Sequence, residues 1–128
     1  MKLTFGKNEK LKSKKAIESL FSEGQSYVSH PIRIVYRIHP KRDYTIRIGE
    51  SVAKKKFKHA VDRNLLKRRI KEAYRLNKAL VNISEEISID ILFIYTSSKI
   101  KDYHTIDKMM KEILIKLDTI INKKEQPE

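Results

Sequence analysis

The 128-residue chain contains no cysteine. That absence removes disulfides, thiolate metal sites and thiol catalysis together, and it fits a reducing compartment. Glycine is almost as scarce, with three residues spread over the whole chain, so a glycine-rich phosphate loop is not available. The longest apolar run, Ile91-Leu92-Phe93-Ile94-Tyr95, is far too short to span a bilayer. The opening MKLTFGKNEK lacks the apolar stretch of a signal peptide. A cytoplasmic protein without membrane association is expected. Convergent carboxylates are also missing. Glu85-Glu86 falls in a turn, and Asp90 opens a strand in a structural or capping role. His30, His39, His59 and His104 share no metal-ligand spacing. The chain alone does not read as catalytic, and no protein metal site is expected.

What is abundant is positive charge. Lysine and arginine number 29 against 16 acids, a net charge of +13. A small domain this cationic repels itself, and a polyanion relieves the repulsion. The charge is concentrated. From Lys54 to Lys78 there are eleven basic residues, interrupted only by Asp62 and Glu72. Lys54, Lys55, Lys56 and Lys58 follow a strand-like Ser51-Val52-Ala53, and a helical pattern then runs from about 60 to about 80. At 100° per residue Leu66, Ile70, Ala73 and Leu80 form an apolar stripe with Tyr74 at its edge. Arg63, Asn64, Lys67, Arg68, Lys71, Arg75 and Lys78 form a second stripe. A solvated, salt-bridged face would carry acids at i+4. Here 63, 67, 71 and 75 repeat like charge instead. Such a helix gains from phosphates opposite it.

In chain order, Ser13 is a candidate N-cap and Gly24 ends a short helix with Ile17, Leu20 and Phe21 on one face. Ile32, Ile34, Tyr36 and Ile38 alternate with Arg33, Val35 and Arg37 as a strand with an apolar face. Pro40 to Asp43 reads as a turn into a second strand, residues 44–53, and the short connection predicts that the two strands pair antiparallel. Gly49 inside that strand marks a bulge or a close backbone approach. Residues 88–96 form a strand buried on both faces. A last helix, about 104–122, packs Ile106, Met110, Ile113, Leu117 and Ile120 on the sheet. The order αββαβα predicts one α+β domain over 1–128, a two-layer sandwich of helices on a central sheet, with an ordered core of about 11–121 and a disordered tail of about 123–128. Ile34 and Tyr36 share a sheet face that Phe21 can approach. An aromatic cleft of that kind stacks single-stranded bases, although each residue taken singly also fits an ordinary core.

Gly49-x-Ser51-Val52-Ala53-Lys54-Lys55, then Ala60-Val61-x-Arg63-Asn64-x-x-Lys67-Arg68, then Ala73-Tyr74-Arg75 resembles the protein subunit of bacterial ribonuclease P. Leu11, Lys12, Ile17 and Phe21 in the first helix and Asp90 before the last strand fit the same pattern, so the resemblance spans about residues 11–121. It implies a left-handed β-α-β crossover around the basic helix, against the usual rule. It implies partnership with a catalytic RNA that removes the 5′ leader of precursor tRNA, with the RNA and its Mg2+ doing the chemistry. No obligate protein partner is evident. By position, Lys54, Lys55, Lys56, Lys58, Arg63, Asn64, Lys67, Arg68, Lys71 and Arg75 would face the catalytic RNA. Ile17, Phe21, Ile34 and Tyr36 would line the leader cleft. Leu65 stands where the family has a second arginine, and Glu50 where an apolar residue is usual. The competing readings are a ribosomal or other assembly protein that binds structured RNA, and a protein-only nuclease, which the scattered carboxylates disfavour.

Overall fold

The computed structural model describes residues 10–122; the expected tail at 123–128 and most of the N-terminal lead-in lie outside them. The elements run α1 (Lys14–Glu23), β1 (Gln25–Ser29), β2 (Ile32–Pro40), β3 (Ile46–Ser51), α2 (Ala60–Asn77) with a 3-10 turn at Lys78–Leu80, β4 (Ile87–Tyr95) and α3 (Tyr103–Asn122). The α+β class stands, with a mixed four-stranded sheet in the order β1-β2-β4-β3.

Two expectations about the strands fail. First, β2 and β3 are not partners. β4 lies between them, antiparallel to β2 and parallel to β3. The short 41–45 connection therefore spans a gap that β4 fills from the far side of α2. Second, β1 is an additional strand. It forms the real hairpin with β2, turning at His30 and a cis Pro31. Its sequence, QSYVS, is polar enough to read as a loop, because an edge strand has only one neighbour and Tyr27 alone reaches inward. The central position of β4 agrees with its apolar run: seven of its nine residues are buried.

The pleat decides which side chains meet which helix. Ile32, Ile34, Tyr36, Ile48, Ile89, Ile91, Phe93 and Tyr95 point to one face, where they join Leu66, Ile70, Ala73 and Tyr74 of α2 and Ile106, Met110, Ile113, Leu114, Leu117 and Ile121 of α3 in the main core. Val35 and Leu92 point to the other face, under Leu11 and Leu20, with Ala16, Ile17 and Ile94 packed alongside. The helices thus divide unequally, α1 alone on one side and α2 with α3 on the other. Leu80, expected in the α2 stripe, is exposed because the helix tightens into its 3-10 end before reaching it.

Ser13 caps α1 as expected, its hydroxyl accepting from the Ala16 N–H at 3.2 Å. Gly24 ends the helix, but in an extended conformation. Its need for glycine is steric: a Cβ there would lie 2.9 Å from the Tyr36 carbonyl oxygen and against the Leu20 carbonyl. Gly49 marks a close approach, with no bulge in the β3–β4 register. Leu11 passes over it, donating its N–H to the Ile48 carbonyl at 2.7 Å.

Candidate nucleic-acid interface

The cationic segment lies on the crossover between the parallel strands β3 and β4. After Ser51 the chain makes a tight turn in which the N–H groups of Lys56 and Phe57 both donate to the Ala53 carbonyl. Phe57 anchors the turn, buried with its ring 5.9 Å from that of Tyr95. The Lys54, Lys55 and Lys58 side chains are exposed and make no hydrogen bond or ion pair among the described residues. Lys56 is exposed too, but its ammonium donates to the Thr96 carbonyl at 2.6 Å. Thr96 also meets His30, so the hairpin turn, the end of β4 and the lysine turn are tied together.

On α2 the basic residues fall into two groups. Asn64 and Arg68 are exposed and Lys67 half-buried, and none of their side chains has a partner among the described residues. The others are engaged. Arg63 turns back to donate Nη1 to the Phe57 carbonyl at 2.7 Å and to the Lys58 carbonyl at 3.0 Å. Lys71 meets Glu50 of β3 at 3.3 Å. Arg75 grips the Glu72 carboxylate through Nε at 3.0 Å and through Nη2. That hydrogen bond, opposed by burial, holds the Glu72 carboxyl below its ordinary range. The stripe is therefore less free of acids than its own spacing implied: Glu72 reaches Arg75 at i−3, and Glu50 arrives from another element.

The residues expected to line one cleft lie on opposite faces of the sheet. Ile17 and Phe21 stand on α1, Phe21 58% exposed. Ile34 and Tyr36 face away from α1, almost fully buried in the main core. The Tyr36 ring sits edge-on to Tyr27, at 6.1 Å, and its hydroxyl donates to Gln25. Burial pushes its phenol up. The side chains that do face α1 are Val35, Leu92 and Ile94. The alternation in β2 was legible, but with Val35 on one parity and isoleucines on the other it gave no sign of which face α1 covers.

Two hollows flank α1. One, of about 270 Å³, lies where α1, β3, β4 and α2 meet, with Ile17 and Leu92 against Lys10, Lys12, Glu50 and Lys71. The other, also about 270 Å³, has Ser13, Lys15 and Arg42 at its rim and a buried ion cluster at its base. There Asp90 of β4 accepts from Arg47 Nε at 2.9 Å and Nη2 at 3.1 Å, and its Oδ2 lies 3.0 Å from His39 Nε2. Burial opposes ionisation of Asp90, but the hydrogen bonds from Arg47 and His39 and the charge of the guanidinium outweigh it and hold the carboxyl below the usual range. Asp90 therefore links β2, β3 and β4 as a structural residue.

Comparison with known proteins identifies this arrangement. The model of the family described as Ribonuclease P matches residues 5–118. The chain belongs to the ribonuclease P protein family. Among the family's proteins, the ribonuclease P protein component of Porphyromonas gingivalis strain ATCC 33277 is 39% identical over 120 residues, which cover 89% of this chain and 88% of the relative. That of Clostridioides difficile strain 630 is 36% identical over 122 residues, 93% of this chain and all of the relative. The solved ribonuclease P protein of Thermotoga maritima superposes with a TM-score of 0.70 at 26% identity, over 84% of this chain and 96% of that one. The Staphylococcus aureus ribonuclease P protein, at 22% identity, has the same fold, with a TM-score of 0.68 over 89% of this chain and 98% of that one. Among the described residues no helix is long and apolar enough to cross a membrane.

Proposed function

We propose that this chain is the RNA-binding protein subunit of a ribonuclease P holoenzyme, in which it binds the catalytic RNA through the lysine turn and α2 and holds the single-stranded 5′ leader of precursor tRNA beside α1. The observation that carries the proposal is Lys71. It belongs to the basic stripe of α2 and also lines the hollow against Ile17 and Leu92, so the cationic helix and the α1 groove form one continuous surface. Phosphates would be met by Lys54, Lys55, Lys58, Lys67 and Arg68, whose charges are free to release counterions. Unstacked leader bases would lie against Phe21, with Ile17, Val35, Leu92 and Ile94 beneath.

The chemistry belongs to the RNA and to Mg2+ bound by it. The protein's own carboxylates near this surface do not suit a magnesium ion: Glu50 is held by Lys71, Glu72 by Arg75, and Asp90 by Arg47 and His39. Magnesium takes oxygen ligands and keeps several waters, and these oxygens already face cations. The protein contributes charge. Its cations screen phosphate repulsion in the folded RNA and so lower the magnesium that cleavage requires.

The test is precursor-tRNA cleavage at low magnesium by the organism's ribonuclease P RNA, with and without the protein. Stimulation that fades as magnesium is raised is expected. No stimulation, or cleavage by the protein without RNA, would overturn the proposal.

A further inference from the structure

Between α2 and the start of α3 lies an open pocket of about 310 Å³, lined by Leu65, Arg68, Arg69, Glu72 and Tyr103. We infer that it receives one unstacked nucleobase of the partner RNA, with Arg68 at its rim on the adjoining phosphate. The inference rests on the RNA-binding reading of α2 and adds a base-holding site on the flank of that helix away from α1.

Several observations converge on a nucleotide. Leu65 and Tyr103 are both half-buried and line the same depression. An aromatic ring beside an aliphatic wall is what a base stacks on. Arg69 cannot swing across the opening, because its Nη1 is held by the Lys101 carbonyl at 2.6 Å. Its guanidinium is a fixed wall of the kind that stacks on bases. Arg68 is exposed, with no partner among the described residues, and is therefore available for a phosphate oxygen. The charge of Glu72 is offset by its two bonds from Arg75, so the pocket does not repel an anion. An apolar partner protein would find two arginines around a small depression. A nucleotide finds a stacking surface and a cation side by side.

The experiment uses the full chain and the ribonuclease P RNA. Tyr103→Leu should weaken RNA binding about tenfold, the scale of one base–aromatic stack, and Leu65→Ser should weaken it by a smaller factor, both with the salt dependence unchanged, since no phosphate contact is lost. Tyr103→Phe keeps the ring and should rescue binding. The Tyr103 hydroxyl has no hydrogen-bond partner among the described residues, so the rescue costs no bond. Because Tyr103→Leu also removes buried area, a second readout is independent of folding: 4-thiouridine placed in the RNA should photocrosslink to the peptide containing Tyr103 in the parent chain. If the parent chain fails to bind the RNA at all, the RNA-binding reading falls and this inference with it. If the parent binds while both variants bind equally well and no crosslink forms at Tyr103, the inference alone falls. Variants that alter self-association without RNA, and leave RNA affinity intact, would assign the pocket to a second copy and also overturn it.

Discussion

The guanidinium of Arg63 lies 2.7 Å from the carbonyl oxygen of Phe57, six residues earlier, and bonds the Lys58 carbonyl as well. Arginine in the first turn of a helix ordinarily reads as a free cation for phosphate. Here it closes the lysine turn, and Phe57 beneath it is fixed in the core. Arg63→Ala should therefore weaken RNA binding mainly by loosening the turn. The prediction is non-additivity: with Lys54, Lys55 and Lys58 already replaced by alanine, Arg63→Ala should cost little more. Equal losses in both backgrounds, from a double-mutant cycle of RNA affinities, would make Arg63 a direct contact. Amide exchange should rise at 55–59 in the variant.

The sheet supplies a prediction about acid. Asp90 is buried between Arg47 and His39. Its folded pKa is depressed, so its contribution to stability is complete above the ordinary aspartate value of about 4. That contribution is lost as the pH falls below this value and through the depressed one, because the unfolded chain takes up the proton first. Urea titrations from neutral to acid pH should show this limb in the parent. Asp90→Asn should lower stability by about 3 kcal/mol at neutral pH, since it leaves Arg47 and His39 without their anion, and should flatten the acid limb. An unchanged limb would assign acid sensitivity to other carboxylates.

How legible the molecule was depended on the range of the forces that fixed each part. The basic helix declared itself, because Leu66, Ile70, Ala73 and Tyr74 repeat at helical spacing against a cationic stripe, and local periodicity carries that information. The buried centre of β4 was equally plain. Strand order was not. The 41–45 loop is short enough for a hairpin, and only the burial that β4 gains by inserting between β2 and β3 excludes one. The face of β2 was lost for a similar reason. Ile34 and Tyr36 look like a stacking platform beside Phe21 until two further helices claim that side of the sheet. Glu50 is the same lesson in charge: its partner Lys71 is remote in sequence and appears only when α2 folds back over β3.

The separation of Phe21 from Tyr36 gives the sharpest test of the α1 groove. Phe21→Ala removes an exposed ring and should leave stability nearly unchanged. It should weaken binding of leader-bearing precursor tRNA about tenfold, the scale of one stacked base, while mature tRNA binds as before. Tyr36→Ala opens a cavity in the main core. It should cost about 3 kcal/mol, the low end for truncating a buried ring, and lower the melting temperature without selecting between the two RNAs. A Tyr36 variant of parental stability that loses only the leader would return Tyr36 to the cleft.

Salt dependence separates the cations that meet phosphate from those already engaged. Arg68 has no partner among the described residues, whereas Lys71 is shared with Glu50 at 3.3 Å. Each phosphate neutralised steepens the fall of log K with log salt by about 0.7–0.9. Arg68→Ala should remove about that much slope. Lys71→Ala should remove less, because part of its charge is spent on Glu50 before RNA arrives. The complementary change is Glu50→Gln. It keeps the shape of the side chain, which is largely buried beside the groove, and releases the lysine. RNA binding should then tighten at low salt and its slope should steepen toward one further contact. A pair worth little to the free protein would thereby prove to restrain RNA affinity. Unchanged affinity and slope for Glu50→Gln, measured by filter binding across a salt series, would mean that Lys71 does not reach a phosphate.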